Sequence, residues 1–450
     1  MAPVAHVPFS SQALLRVVAR WPPAPAYRVA FSGGLDSTVL LHALAEGRDG
    51  LPGALGAVHV NHGLHGDAGR WADHCRAACH RLGVPCAVAA VAAGGGPGES
   101  PEAAARQARY RAFEDTLGVG EALLTAHHRD DQAETVLLHL LRGSGPRGLA
   151  AMPGRRALGA GWLGRPLLGW SRAELRAWGE ARGLAWLEDP SNRDERFDRN
   201  FLRRQVLPSL ERRWPGVSRV LARDAELQAE AAELLEALAE EDLAGSGGSD
   251  PGTLSVGALR GLSPERARGV LRHWLRALGL PVPGAAQLGH LVRDVLEARV
   301  DAVPCVRWPG AEVRRYRDTL VALRPQISSE VGETWGWQPP AALGLPGGVL
   351  EAVPAVGSGV GARWLEERPA RVHLRRGGER VRLPGRRHSQ SLKKLLQAEG
   401  IPPWQRERLP LVYLADDLAA VADLWVCEPF AARAGEAGWL LRWTPEERDT

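Results

Sequence analysis

The sequence predicts an α/β fold for its first half, a parallel sheet with helices on both faces, followed by a helical middle domain and a small α+β C-terminal domain. Three observations carry this expectation. Strands and helices alternate through the first 215 residues. A Gly-rich turn joins the first strand of that series to its helix, and beyond residue 216 the apolar spacing settles on the helical period. A length of 450 residues exceeds what one hydrophobic core usually organises, so two or three domains are expected.

In chain order, Tyr27 to Phe31 is a short apolar strand and Thr38 to Ala45 continues as a helix. Leu55 to Val60 reads as the second strand, Trp71 to Leu82 as a helix, Cys86 to Val91 as the third strand and Pro101 to Leu117 as a charged amphipathic helix. Ala122 to Ala126 is the fourth strand, leading to a helix from about Gln132 to Leu141. This rhythm gives a Rossmann-like sheet whose ligands bind beyond the carboxyl ends of the strands. Helical periodicity then marks Ala225 to Leu243, Pro264 to Leu278 and Ala285 to Glu297, with a flexible connection at Gly245 to Gly252. Residues 303 to 324 suit a hairpin about Pro309-Gly310. The expected domains are residues 1–215, 216–325 and 364–450, with a Pro- and Gly-rich linker of irregular structure at 326–363.

Composition excludes several classes. Hydrophobic content of 45% and charged content of 24% are those of an ordinary soluble globular protein. The N-terminus has no signal-peptide pattern and the chain has no apolar run long enough to span a bilayer, so no membrane is expected and the location is cytoplasmic. Cys75, Cys79, Cys86, Cys305 and Cys427 contain no CxxC pair, which argues against a disulfide framework and a zinc site; Cys75 and Cys79 read as packing residues. Net charge is only +4, yet eleven Arg or Lys stand against three Glu between Arg371 and Arg408. Nucleic-acid phosphates suit such a cluster, with a solvated basic face as the alternative.

The turn Ser32-Gly33-Gly34-Leu35-Asp36-Ser37 lies where a phosphate site belongs. Its glycines free the backbone to curl, and the helix N-terminus adds partial positive charge. Ser37 can cap the helix or offer its hydroxyl to a phosphate, and Asp36 beside phosphate implies Mg²⁺. The only lysines are Lys393 and Lys394, so the lysine of a GxxxxGK[ST] loop is missing and γ-phosphoryl transfer of that type is not expected. A second polar segment runs from Thr125 to Thr135, TAHHRDDQAET. Asp131 and Glu134 have the spacing of a capping box. With Asp130 they also gather negative charge that Mg²⁺ or a cationic substrate would relieve, and a carboxylate or histidine there could accept a proton. Arg106 and Arg109 share a helix face, either solvated or in contact with phosphate, and Arg199 aligns with Arg203 on a predicted helix.

The string SGGLDS resembles the PP-loop of the N-type ATP pyrophosphatases, which cleave ATP at the α-phosphate and adenylate a carbonyl. Within that superfamily the chain resembles the lysidine synthases, tRNA-modifying ligases, at VHVNHGL (58–64), ARQARY (105–110), TAHHRDDQAET, GRPLL (164–168), EDPSN (188–192), RNFLRR (199–204) and SLKKLL with IPPW (391–404). His65 departs from the arginine common in that family. The resemblance implies ATP binding by Ser32, Gly33, Gly34, Leu35, Asp36, Ser37, Asn61 and His62, with Mg²⁺ on Asp36. It implies catalysis by Asp36, His127, Asp131 and Glu134. Substrate contacts would come from Arg106, Arg109, Asp130, Asp131, Glu134, Arg199 and Arg203, without fixing which carboxylate takes lysine and which the metal. The implied reaction is ATP-dependent ligation of L-lysine to C2 of the wobble cytidine of tRNA(Ile) with a CAU anticodon, releasing AMP and pyrophosphate and changing decoding from Met to Ile. A homodimer is compatible with the sequence. Three other readings stay open: a tRNA thiolase, which needs a cysteine pair or an iron–sulfur cluster; a small-molecule amide ligase, which needs no basic C-terminal unit; and a non-catalytic tRNA binder, which would carry an impaired loop.

Overall fold

The computed structural model describes residues 7–61, 68–91, 101–189, 194–248, 250, 252–299, 302–325, 333–367 and 370–445. The chain forms two compact units, Met1–Leu235 and Glu236–Thr450.

In the first unit the strands are β1 (Ala26–Ala30), β2 (Ala54–Asn61), β3 (Cys86–Ala90), β4 (Ala122–Leu124), β5 (Arg155–Leu158) and β6 (Gly161–Gly164). They lie in the order β3-β2-β1-β4-β6-β5. Every neighbouring pair is parallel except β5 with β6. The expected parallel sheet thus carries an antiparallel edge, because only Gly159 and Ala160 join β5 to β6 and so short a turn closes antiparallel strands alone. Strand order reverses between β1 and β4, which opens a crevice at their carboxyl ends.

Helices are α1 (Ser11–Val18), α2 (Leu35–Glu46), α3 (Ala68–Leu82), α4 (Pro101–Thr116), α5 (Arg129–Leu141), α6 (Arg172–Glu180) and a helical run α7 (Asp198–Arg213) that widens to π geometry at Leu202–Val206. Successive residues of β4 show how both sheet faces are covered. Leu124 joins the core that packs α1, α2, α3 and α6, whereas Leu123 joins Val58, Phe113, Leu117, Leu158 and Leu163 under α4. Helix α2 is buried almost all round, between the sheet and helices α1 and α6.

In the second unit, helices Pro264–Ala277 and Ala285–His290 pack on an antiparallel sheet of Leu254–Ser255, Thr319–Leu323, Ala311–Tyr316 and Cys305–Trp308. The expected hairpin turn is present, with Gly310 at φ 84°. The stretch expected as linker and irregular structure instead supplies four strands, Trp335–Trp337, Leu343–Leu345, Gly348–Val356 and Val360–Gly361. The longest pairs along its whole length with Ala437–Pro445, a partner too distant in sequence to leave a local signal. No helix among the described residues is long and apolar enough to cross a membrane.

Gly161 tests the packing of β6 on β4. A Cβ there would collide with the Glu121 carbonyl oxygen, a backbone atom that cannot yield. Gly161→Ala is expected to lower unfolding stability by about 2 kcal/mol or more, measured by urea denaturation.

Candidate active site

After β1, Phe31 N–H still bonds to the Val58 carbonyl (2.8 Å), holding the chain extended up to Ser32. Gly33 then takes φ 80° and Gly34 opens α2 in an extended conformation with no side-chain cap. Ser37 does not cap the helix: it donates to the Gly34 carbonyl (3.1 Å) and lies 3.0 Å from Ser32 Oγ, so the two hydroxyls tie the turn closed. Across the turn, Leu187 N–H bonds to the Gly33 carbonyl (2.9 Å). A methyl group on Gly33 would sit 3.2 Å from Cys75 Sγ and 3.4 Å from Leu187 Cδ1, so the glycine is required by space as well as by φ. The first-turn N–H groups of α2 are left for an external acceptor, which is the geometry of an anion site.

The second polar segment folds one turn earlier than its spacing implies. His128, not Asp131, is the N-cap of α5: its Nδ1 accepts from Asp131 N–H (3.4 Å), and Asp131 Oδ2 accepts from His128 N–H (3.0 Å). Glu134 is thereby released from the cap into the helix body, where it is fully buried. Its Oε2 accepts from Arg199 Nε (2.8 Å), and Oε1 accepts from Arg203 Nε (2.6 Å). Arg203 Nη2 also reaches Asp131 Oδ1 (2.9 Å). Two arginines one turn apart on α7 thus meet two carboxylates three residues apart on α5. Against the burial that opposes it, hydrogen bonding to Glu134 and the charges of Glu134 and Asp131 hold the Arg203 guanidinium above its usual range. Burial works to raise Asp131, but the His128 ring beside it and the guanidinium groups of Arg199 and Arg203 hold its carboxyl at about 2.

The loop and the acidic segment meet at one imidazole. Asp36 Oδ2 lies 3.8 Å and Asp131 Oδ2 3.4 Å from His128 Nε2, while Asp130 Oδ2 lies 3.9 Å from Nδ1. Asp130 Oδ2 also accepts from Arg172 N–H (2.9 Å) at the start of α6, and Arg172 Nε approaches Asp36 Oδ1 at 3.6 Å. Asp36 Oδ1 is buried and has no hydrogen-bond partner. No group of three His, Cys, Asp or Glu suited to a metal occurs among the described residues.

His128 was not among the expected site residues. Its signal was available: a ring nitrogen can stand in for an Asx oxygen at an N-cap, and it directly precedes the helix. The expected His127 stands beside it, with Nδ1 2.9 Å from Thr125 Oγ1. Asn61 ends β2, partly buried; His62 lies outside the described residues, as does 190–192 of the EDPSN segment. Arg106 and Arg109 are exposed on α4, and the Arg106 guanidinium stacks 5.2 Å from the centre of the Tyr110 ring.

Burial pushes the His127 imidazole down from 6.5 to about 4. Between those two values the unfolded chain binds a proton that the folded chain refuses, so stability is complete above pH 6.5 and is lost as the pH falls toward 4. The loss attributable to this group is up to about 3 kcal/mol. Urea unfolding across that window should show it, with a flatter slope for His127→Gln.

A family profile described as "PP-loop domain" matches residues 10–210, one described as "TilS substrate binding domain" matches 254–321, and one described as "TilS substrate C-terminal domain" matches 370–443. Among curated relatives, the tRNA(Ile)-lysidine synthase of Alkalilimnicola ehrlichii is 48% identical over 446 residues, covering 97% of both chains. That of Methylococcus capsulatus is 43% identical over 427 residues, covering 94% of this chain and 97% of its own. That of Coxiella burnetii is 41% identical over 438 residues, covering 97% of both. With such identity along nearly its whole length, and with the loop, the acidic segment and the paired arginines in one centre, the chain belongs to the tRNA(Ile)-lysidine synthase family.

Proposed function

We propose that this chain, a ligase forming a carbon–nitrogen bond, joins L-lysine to C2 of the wobble cytidine of tRNA(Ile) with a CAU anticodon, at the expense of ATP. The observation that carries this reading is the open N-terminus of α2 lying against three carboxylates gathered on His128. The pyrophosphate end of ATP binds over the turn Ser32 to Ser37. The C2 oxygen of cytidine attacks the α-phosphate and pyrophosphate departs. An amine of lysine then attacks C2, and AMP leaves with the former carbonyl oxygen.

Each residue has a distinct task in this scheme. Asp36 is suited to hold Mg²⁺, because its buried Oδ1 accepts no hydrogen bond, with Arg172 Nε 3.6 Å away, and phosphate oxygens would complete the shell. The ion supplies neutralisation of the pyrophosphate charge. Asp130 is 28% exposed at its side chain and Asp131 only 12%, so Asp130 takes an ammonium group of lysine. With the Thr125 hydroxyl turned to the Gly164 carbonyl (3.4 Å), His127 Nδ1–H donates to Thr125 and Nε2 keeps its lone pair. Held neutral by burial, that nitrogen can accept the proton of the attacking amine. Glu134 touches no substrate; it is a positioning residue acting through Arg199 and Arg203. Arg106 and Arg109 face RNA, whose target base must leave the stack to be reached. In the second unit Arg376, Arg380, Arg386, Arg387, Lys393 and Lys394 are exposed and suit tRNA phosphates away from the target base.

Incubation with ATP, radiolabelled lysine and bacterial tRNA should give acid-precipitable label that survives mild base. Base-labile label would mean an ester and would overturn the reading. Asp36→Ala is expected to reduce pyrophosphate release at least about 100-fold while tRNA affinity stays within twofold of wild type. Parallel loss of both would remove the turn from the ATP site. Glu134→Gln is expected to destabilise the fold by about 3 kcal/mol, read by urea unfolding, because two arginines lose their buried counter-charge.

A further inference from the structure

Beside this centre, positive charge collects around a single phenol. The Tyr110 ring lies 5.2 Å from the Arg106 guanidinium and 5.1 Å from that of Arg156 on β5. Arg156 and Arg165, the residue that follows β6, both act on its phenol group through their charge. Arg165 is only 5% exposed; its Nη1 donates to the Pro153 carbonyl (2.7 Å), and its buried Nε has no partner. Other partly or fully buried arginines of the unit are matched, Arg28 by Glu121, Arg129 by Glu174, Arg199 and Arg203 by Glu134. Among the described residues no carboxylate pairs with Arg106, Arg156 or Arg165.

Such a cluster is unfavourable when empty, since its cations repel one another and part of it is desolvated. Burial and the neighbouring arginines lower Arg165, and against its own burial the surrounding cations lower Tyr110. The phenol O–H can donate to an incoming anion. One multi-oxygen anion would accept from that O–H, from Arg165 Nε and from the free edges of Arg106 and Arg156 together. Arg106 and Arg165 both act electrostatically on His127, which puts the cluster on the amine-attack side of the centre.

We infer that Arg106, Tyr110, Arg156 and Arg165 form a phosphate pocket that grips the RNA backbone next to the target cytidine. This rests on the function proposed above and assigns Tyr110, Arg156 and Arg165 to substrate positioning. The source is RNA and not ATP, because the cluster lies by the β6–β5 edge whereas the phosphate turn follows β1, two strands away.

Arg156 is exposed on an edge strand, so Arg156→Ala should fold normally, and Tyr110→Phe removes only the hydroxyl. With the full chain, tRNA affinity is measured across a range of KCl concentrations. Arg156→Ala is expected to weaken tRNA binding roughly fivefold and to lower the slope of log K against log salt by about 0.7 to 0.9, with Arg156→Lys restoring part of the slope. Tyr110→Phe is expected to raise KM for tRNA, leaving KM for ATP and lysine unchanged. An unaltered salt slope in Arg156→Ala would overturn the inference, as would a raised KM for ATP with intact tRNA affinity. Absence of any lysine transfer by the wild-type protein would sink the proposed function instead, while the salt slopes would still test the pocket.

Discussion

Glu134 has no solvent exposure, and a carboxylate so placed is tolerable only when both oxygens are met by charge. Arg199 and Arg203 meet them. The consequence reaches well beyond one ion pair. Because the two arginines sit one turn apart on α7, satisfying Glu134 docks that helix on α5, and Arg203 then extends to Asp131. Asp131 in turn is the residue that His128 caps. One buried charge therefore fixes the orientation of two helices and of the carboxylates that face the nucleotide turn.

His128 is the joint between the two halves of the centre. As an N-cap it belongs to the backbone of α5, and by its ring it belongs to the site, since Asp36, Asp130 and Asp131 all approach it within 4 Å. A capping side chain has little freedom, so the three carboxylates converge on a group whose position the helix dictates. The neighbouring His127 is held differently, by burial and by Thr125, and its imidazole stays neutral. Adjacent histidines thus acquire different properties from their surroundings.

Charge around the centre is arranged in two contrasting ways. On the α7 side, arginines and carboxylates neutralise one another and form a rigid floor. On the α4 and β5 side, arginines flank a phenol and no carboxylate among the described residues pairs with them. The first arrangement neutralises charge and the second concentrates it.

Much of this was legible in the residues. The alternation of strands and helices, the glycines of the turn, the absence of a nearby lysine and the i, i+4 arginines are local patterns, and local patterns survive in a one-dimensional string. Helix α7 and the two arginines were read correctly as elements, though not as partners of Glu134. What tertiary structure alone decided were the pairings between distant segments: Arg203 with Glu134, Asp36 with His128, Tyr110 between α4 and the β5–β6 edge, and the strand Gly348–Val356 with Ala437–Pro445. The shift of the cap from Asp131 to His128 has the same origin. Spacing allowed either start, and the choice fell to the one that leaves Glu134 facing two guanidinium groups from another helix. Sequence determines which residues can make such contacts, but burial and charge neutralisation select among them only once the chain has folded.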